Sequence, residues 1–208
     1  MAIFQSLDIA ITSIVAAYLL GAIPFGLLFA RWLTGKDPRQ HGSGNTGATN
    51  ALRTSGKAVG ILTLLADIGK GSLAVALAIY LQDDMTLVAA VALAVFVGHI
   101  FPIYLKFKGG KGVATMFGVL IPWLPWVAIA TFFAWFLLFK LTRYVSLASV
   151  VAAIMLPLLA WLFGALSWSA SDPSALFACV ILGGLVVARH IGNMRRILAG
   201  EEPKTGAS

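Results

Sequence analysis

Apolar residues occur along the chain in long blocks that are separated by short polar stretches. The blocks lie at residues 9–30, 58–81, 86–105, 113–141, 145–163 and 174–190. A run of about 18–20 apolar residues is long enough for a helix to cross the hydrocarbon core of a bilayer. The pattern therefore predicts an all-α integral membrane protein, in which residues 1–208 form a single polytopic membrane domain.

The polar stretches fall into two classes by charge. Those around Asp8, 82–84 and 167–174 are acidic or neutral. The basic stretches, which are also rich in glycine, are residues 31–57, 106–112, 140–144 and 189–208. Lys and Arg in short loops favour the cytoplasmic side of a membrane, so the basic stretches are expected on that side.

Placing all basic stretches on one side requires the block 113–141 to cross the membrane twice. Pro122 and Pro125 supply the break, because proline interrupts helix hydrogen bonding. The sequence thus predicts about seven transmembrane helices, with the N-terminus outside and the C-terminus cytosolic. The chain start lacks the basic region of a secretory signal, so the first span is expected to remain in the mature protein.

The composition agrees with a membrane protein. Of the 208 residues, 60% are apolar and only 11% are charged, and the mean hydropathy is +0.93. Ordinary soluble domains are about half apolar and about a quarter charged. These values exclude a disordered chain, a coiled coil and a typical cytosolic domain. The lone Cys179 excludes an internal disulfide framework.

The first candidate site is the polar loop at residues 41–53, His-Gly-Ser-Gly-Asn-Thr-Gly-Ala-Thr-Asn-Ala-Leu-Arg. Glycine lets backbone N–H groups turn toward a bound anion, and the N-terminus of a following helix adds its positive dipole end. Ser43 and Arg53 offer side-chain donors. The alternative is a flexible polar loop without a ligand.

The second candidate is residues 106–115, Lys-Phe-Lys-Gly-Gly-Lys-Gly-Val-Ala-Thr. It is not a Walker motif, because it lacks the G-x-x-x-x-G-K-[ST] pattern and follows a membrane span. Its glycines and lysines nevertheless favour anion binding. The alternative is a basic cluster that contacts lipid headgroups.

The third and fourth candidates lie in the second half of the chain. His190 and Asn193 are three residues apart, which on a helix places them on one face. The alternative is that the basic residues here are only the stop-transfer flank of the last membrane span. The segment from Arg143 to Ser146 is a short turn, with a plain loop as its alternative. All four candidates are expected on one side of the membrane, which suits a substrate with an anionic head and an apolar tail.

Ionisable residues inside the predicted spans are also candidates. Asp67 and Lys70 are three residues apart in the second block, and such groups in a membrane are functional hypotheses by default. A structural ion pair is the alternative. His99 is either a base or a hydrogen-bonded packing residue. Asp37 and the C-terminal residues 201–208 are expected to be mobile and solvated.

Three segments resemble the motifs of bacterial acyl-phosphate:glycerol-3-phosphate acyltransferases, the PlsY family. Residues 42–50 with Arg53 resemble the first motif, and residues 98–102 followed by 107–115 resemble the second. Residues 189–196 resemble the third, although Gly192 and Met194 interrupt its more polar pattern. The resemblance runs in order through nearly the whole chain.

The resemblance implies a multi-pass enzyme of the bacterial inner membrane with its active site facing the cytosol. It would move a fatty acyl group from acyl phosphate to position 1 of glycerol 3-phosphate, giving lysophosphatidic acid and phosphate for phospholipid biosynthesis. Membrane lipid is the expected surrounding, and no nucleic-acid partner is expected. No metal or cofactor is expected, because the phosphate of a mixed anhydride already leaves readily.

The family's site residues carry over by position. The expected catalytic residues are Ser43, Arg53, Lys111, His190 and Asn193. The expected substrate-binding residues are Gly44, Asn45, Thr46, Asn50, Lys108, Gly109, Gly110, Gly112 and Ser146. The substrate's own phosphate is the hypothetical proton acceptor, ahead of His99, His190 and Asp67.

Two other functions stay open on the residues alone. A transporter of a small organic phosphate would place its site near the membrane midplane, often at broken helices of a repeated fold. Here the candidate residues crowd one predicted face and no repeat is visible. A lipid phosphatase would need a phosphoryl-accepting nucleophile, and the sequence offers no convincing one.

Overall fold

The protein is described here by a computed structural model that covers residues 2–81, 84–168 and 172–205. Every secondary-structure element assigned within these ranges is a helix, as the sequence predicts. The chain divides into two compact units, residues 1–123 and 124–208.

The first unit contains six α-helices. They are α1 (Ala2–Ala22), α2 (Phe25–Thr34), α3 (Ala48–Ser55), α4 (Lys57–Leu81), α5 (Met85–Ile100) and α6 (Val113–Trp123). Helix α1 packs on α5, and α4 packs on α6 as well as on α2 and α3. Short 3₁₀ turns at Pro38–Gln40 and Ile103–Leu105 lead into the two glycine-rich loops.

Helices α4 and α6 approach each other closely because glycine faces the contact from both sides. A Cβ atom on Gly71 would lie 2.7 Å from the carbonyl oxygen of Thr115, and one on Gly118 would collide with the carbonyl of Ile68. Small residues allow such close packing inside membranes, where apolar side chains gain little by leaving lipid. The contact fixes α6, and with it the end of the second loop, against α4.

The second unit contains four α-helices. They are α7 (Pro125–Thr142), α8 (Val145–Ala165), α9 (Pro173–Arg189) and α10 (Ile191–Leu198). Helix α8 packs between α7 and α9, and the short α10 contacts α8 and α9. Asp172 caps the start of α9, where its carboxylate accepts hydrogen bonds from the backbone and side chain of Ser174.

Within the described residues, five helical stretches are long and apolar enough to cross a membrane. They are Leu7–Thr34, Lys57–Leu81, Met85–Leu105, Pro125–Thr142 and Val145–Ala165. The bent pair α9 and α10 raises the number to six if it forms one span. Large apolar side chains on these stretches are exposed, including Trp32 (78%), Tyr80 (86%) and Leu141 (74%), as lipid-facing positions would be.

The predicted break in block 113–141 is present. Helix α6 ends at Trp123, Leu124 has non-helical φ and ψ of −131° and 63°, and α7 begins at Pro125. With 11 residues, α6 is about 17 Å long, whereas a bilayer core is about 30 Å thick. Helix α6 is therefore too short to cross alone, and the seven-span topology stays a prediction.

Candidate active site

The chain entering the first loop is fixed by the carboxylate of Asp37. Its Oδ2 lies 2.6 Å from Nη2 of Arg39 and 3.0 Å from Nη2 of Arg31. The hydrogen bond from the Arg39 side chain outweighs burial and holds the pKa of Asp37 well below its usual value. The expectation that Asp37 is mobile and solvated is wrong, because its side chain is 10% exposed and pairs with two arginines.

The first loop is closed on itself by the buried side chain of Asn50. Its Oδ1 accepts a hydrogen bond from the Ser43 N–H at 2.9 Å, and its Nδ2 donates to the carbonyls of Pro38 and Asn45 at 2.7 and 2.8 Å. A Cβ on Gly42, whose φ is 60°, would collide with Oδ1 of Asn50. The Asn50 amide thus holds the shape of the loop.

Further backbone N–H groups of this loop bond inside it. The Gly44 N–H donates to the His41 carbonyl at 3.2 Å, and the Gly47 N–H donates to Oδ1 of Asn45 at 2.8 Å. Helix α3 begins just after the loop and carries the exposed Arg53 in its last turn. Thr46 is buried where its carbonyl approaches Gly26 of α2.

The second loop lies against the end of α5. The N–H groups of Gly109 and Gly110 donate to the carbonyls of Ile100 and His99 at 3.3 and 3.2 Å. A Cβ on Gly110 would collide with Nε2 of His99, and one on Gly112 would collide with the Phe96 ring. These glycines are required because the loop packs directly on α5.

Part of the N–H cradle that the glycines predict is used inside the protein. The N–H groups of Ser43, Gly44, Gly47, Gly109 and Gly110 already bond within the chain. The side-chain donors that the sequence predicts on these loops are Ser43, Arg53, Lys108 and Lys111. Ser43, Arg53 and Lys108 are exposed, and Lys111 is half-buried.

Asp67, Lys70 and His99 form one buried cluster beneath the loops. Oδ1 of Asp67 lies 2.8 Å from Nζ of Lys70 and 3.5 Å from Nδ1 of His99, and Lys70 also donates to the carbonyl of Ile23 at 3.2 Å. All three are at most 8% exposed. They line a cavity of ≈ 10 Å³ together with Thr46, which is about the space of one water molecule. The structure thus favours the structural ion pair over a catalytic Asp67.

The third motif lies at a bend in the second unit. Helices α9 and α10 meet at 49°, and His190 at their junction is the N-cap of α10, whose first turn contains Asn193. Nδ1 of His190 lies 2.8 Å from the Val186 carbonyl. Because a carbonyl only accepts hydrogen bonds, Nδ1 carries the hydrogen at this contact.

Ser146 and Asn193 both donate hydrogen bonds to Glu202, a residue that the sequence did not indicate as part of the site. The Ser146 hydroxyl and Nδ2 of Asn193 each donate to Oε1 of Glu202 at 2.7 Å, and Nε of Arg196 donates to Oε2 at 2.8 Å. Burial raises the pKa of Glu202, but these three hydrogen bonds outweigh it and hold the pKa below its ordinary value of 4.5.

The expectation of a frayed, solvated tail is therefore wrong at Glu202, which is 8% exposed. The tail turns at Gly200, whose φ is 73°, and Thr205 N–H donates to the Arg143 carbonyl at 3.0 Å. The sequence held one signal: Glu201 and Glu202 are the only acidic residues in the otherwise basic segment 189–208. A carboxylate in such a segment is a candidate partner for its arginines.

The family model for glycerol-3-phosphate acyltransferase matches residues 11–200 of this chain. That range includes the three motif segments and both glycine-rich loops. The chain belongs to the glycerol-3-phosphate acyltransferase family. Members with curated names are similar over nearly their whole length: the Pseudomonas aeruginosa (strain LESB58) glycerol-3-phosphate acyltransferase is 47% identical over 189 residues, covering 90% of this chain and 95% of the relative. The Bordetella pertussis glycerol-3-phosphate acyltransferase is 45% identical over 196 residues, covering 93% and 90%.

Solved structures of a glycerol-3-phosphate acyltransferase family member have the same fold. The crystal structure of PlsY, an integral membrane glycerol 3-phosphate acyltransferase, in its glycerol 3-phosphate form is 40% identical and superimposes with a TM-score of 0.87. The match covers 95% of this chain and 96% of that one. The lysophosphatidic acid form of PlsY gives a TM-score of 0.84 at 38% identity, covering 95% of each chain.

Proposed function

We propose that this protein transfers a fatty acyl group from acyl phosphate to the position-1 hydroxyl of glycerol 3-phosphate, giving lysophosphatidic acid and inorganic phosphate. The observation that carries the proposal is the family match over residues 11–200. The solved relative is described in a glycerol 3-phosphate form and a lysophosphatidic acid form, and these are the acceptor and the product of such a reaction.

Both proposed substrates carry phosphate, and the first unit offers cations on two loops. Arg53 and Lys111 supply charge-assisted hydrogen bonds, which are shorter and stronger than neutral ones. Ser43 adds a hydroxyl donor and Lys108 adds further charge. Gly44, Asn45, Thr46, Asn50, Gly109, Gly110 and Gly112 shape the loops that present these side chains. In the second unit, Ser146, His190 and Asn193 are the proposed substrate contacts.

The transfer step balances without a cofactor. The position-1 oxygen forms a bond to the acyl carbonyl carbon, and the bond from that carbon to the bridging phosphate oxygen breaks. The donor phosphate leaves with the bridging oxygen and accepts the hydroxyl proton. Orientation of the two reactants can lower the barrier by about 7–11 kcal/mol at most, so positioning by the loops is the main contribution of the protein.

A protein base is the competing account of the proton. Asp67 pairs with Lys70, His99 packs against Asp67 and Gly110, and Nδ1 of His190 faces a carbonyl. Asp67→Asn, His99→Ala and His190→Ala should each keep more than about a thousandth of wild-type turnover when folded, since a general base contributes about 10²–10⁴ in rate. A larger loss that imidazole restores would identify a protein base.

We also propose seven membrane crossings, with the N-terminus outside and the C-terminus and active site on the cytosolic side of the bacterial inner membrane. The basic stretches support this topology through the positive-inside rule. The break at Leu124 supports counting α6 and α7 as two passes of the chain rather than one.

Reconstitution separates the acyltransferase from a transporter. Proteoliposomes receive labelled glycerol 3-phosphate outside, with acyl phosphate in the bilayer. The proposal predicts label in bilayer lysophosphatidic acid and none as free glycerol 3-phosphate in the lumen. Luminal uptake without an acylated product would contradict the proposal and identify a transporter of organic phosphate.

A further inference from the structure

A chain of contacts leads from the turn between α1 and α2 to the second glycine-rich loop. Nζ of Lys70 donates to the carbonyl of Ile23 at 3.2 Å and lies 2.8 Å from Oδ1 of Asp67. The same carboxylate oxygen lies 3.5 Å from Nδ1 of His99. The second ring nitrogen, Nε2, faces the loop backbone, where a Cβ atom on Gly110 would collide with it. The imidazole therefore fills the space between α4 and the loop.

The backbone of Lys111 is held on both sides by packing on α5. Before it, the Gly110 N–H donates to the carbonyl of His99 at 3.2 Å. After it, Gly112 packs so closely on the Phe96 ring that a Cβ atom would collide with the ring. The place of Lys111 therefore depends on the surface that α5 presents to the loop, and the His99 ring is part of that surface.

The cluster leaves this ring little room to turn. Asp67, Lys70 and His99 are 3%, 3% and 8% exposed, and the cavity that they line is ≈ 10 Å³, about the space of one water molecule. Because Asp67 pairs with a cation, its carboxylate is ionised and only accepts hydrogen bonds, so Nδ1 of His99 carries a hydrogen at this contact. A partner at one nitrogen of a histidine sets the orientation of the whole ring.

Stability alone gives no reason for a buried carboxylate at this place. Replacing a buried ion pair by well-packed apolar residues of similar volume is often neutral or stabilising, so α4 could be held in place without charge. Functional side chains, in contrast, need neighbours that lock their geometry through packing and hydrogen bonds. The contact from Asp67 to His99 supplies such a lock beneath the loop.

We propose that Asp67 is a positioning residue for phosphate binding: its carboxylate holds the His99 ring, and the ring holds Gly110 and the backbone of Lys111. Asp67 and His99 then act on the substrate through Lys111. The inference rests on the proposed function, because that function assigns a substrate phosphate to Lys111. It gives the buried ion pair a part in substrate binding in addition to its part in stability.

Hydrogen exchange of the full chain in detergent measures the loop directly, without any substrate. Asp67→Leu combined with Lys70→Met removes the carboxylate and its cation together, so no unpaired charge stays buried. Exchange in peptides that cover residues 107–112 should become about five- to tenfold faster, the effect of losing one hydrogen bond. Peptides in α10 should keep the wild-type rate. Unchanged exchange in 107–112, or an equal increase along the whole chain, would overturn the inference.

His99→Leu tests the ring itself and serves if the first variant does not fold. It should accelerate exchange in residues 107–112 to a similar extent. Adding it to the Asp67→Leu, Lys70→Met protein should cause no further increase, because Asp67 acts through the ring. Additive increases would show that Asp67 reaches the loop by another route and would overturn the inference. The matched control is His41→Leu, at the exposed histidine of the first loop, which should leave exchange in 107–112 unchanged.

Kinetics connect the loop to the substrate. Each variant at Asp67 or His99 should reduce kcat/KM for glycerol 3-phosphate roughly tenfold. The same substitutions should cause little further loss in a Lys111→Ala background, because groups that act through one residue are not additive. A full tenfold loss on top of Lys111→Ala would overturn the inference. If wild-type protein forms no lysophosphatidic acid, the proposed function fails, and the exchange rates of residues 107–112 still decide whether Asp67 and His99 hold the loop.

Discussion

The hydroxyl of Ser146 lies 2.7 Å from Oε1 of Glu202, although 56 positions separate the two residues in the chain. The contact joins the first turn of α8 to the C-terminal tail. Asn193 and Arg196 bond to the same carboxylate at 2.7 and 2.8 Å. The tail is therefore part of the folded second unit and orders two of its proposed substrate contacts.

The Glu202 contacts predict a specific pH dependence of stability. The pKa of Glu202 is lower when folded than its ordinary value of 4.5, so its contribution is present above about pH 4.5 and is lost as the pH falls through the folded pKa. Glu202→Gln should lower the free energy of unfolding at pH 7 by about 1–3 kcal/mol. The thermal unfolding midpoint should fall accordingly. The difference from wild type should shrink below pH 4.5, and a difference that stays constant with pH would contradict the account.

The buried pair of Asp67 and Lys70 predicts a large loss of stability when one partner is removed. Both residues are 3% exposed, and an uncompensated buried charge costs about 3–5 kcal/mol. Asp67→Asn should lower the unfolding midpoint in detergent strongly, whereas Asp67→Leu combined with Lys70→Met should recover most of it. Lys57→Met, at the exposed start of the same helix, is the control. If the Asp67→Asn protein is as stable as wild type, the pair does not stabilise the fold in the way proposed.

Arg53 and Lys111 are predicted to contribute to turnover by binding the phosphate groups of the substrates. Arg53→Ala and Lys111→Ala should each reduce kcat/KM at least about tenfold, because a hydrogen bond to a charged group is worth about 1.5–3 kcal/mol. Arg53→Lys should also be impaired, since lysine lacks the planar fork of arginine. Lys106→Gln, an exposed lysine of the second loop, serves as the control. Near-normal rates for all three site variants at low substrate would exclude these two residues from the site.

The topology can be tested by single cysteines in a Cys179→Ala background. Asp84→Cys and Ser167→Cys should react with an impermeant reagent in intact cells. Gln40→Cys and Lys204→Cys should react only after permeabilisation. All four positions are exposed in the structure. Labelling of Lys204→Cys from outside would show that the segment 113–141 does not cross twice.

Features governed by local chemistry could be predicted from the sequence. The helix break at Leu124 follows from Pro125, because the residue before a proline disfavours the helical conformation and proline suits the first turn of the next helix. Pro122 and Pro157, by contrast, lie inside α6 and α8. The pairing of Asp67 with Lys70 follows from their spacing on one helix face and the cost of isolated charge in a membrane. Both depend on residues only a few positions apart.

Features governed by distant packing could not be predicted. Glycine in residues 109–110 suggested N–H groups for an anion, yet those groups bond to α5, because the loop packs on His99 and Ile100. Asn50 closes the first loop through contacts with Pro38 and Asn45. Glu202 bonds to Ser146, which lies 56 positions away in the sequence. Composition marks such segments as polar, but only the fold determines which partner satisfies each group.

The most direct measurement is the product balance of the purified protein in detergent with glycerol 3-phosphate and palmitoyl phosphate, in the absence of coenzyme A and carrier protein. The account predicts lysophosphatidic acid and inorganic phosphate in equal amounts, and no product when palmitoyl-coenzyme A replaces palmitoyl phosphate. Acylation that requires the coenzyme A thioester, or the absence of acylated glycerol 3-phosphate from a folded preparation, would contradict it.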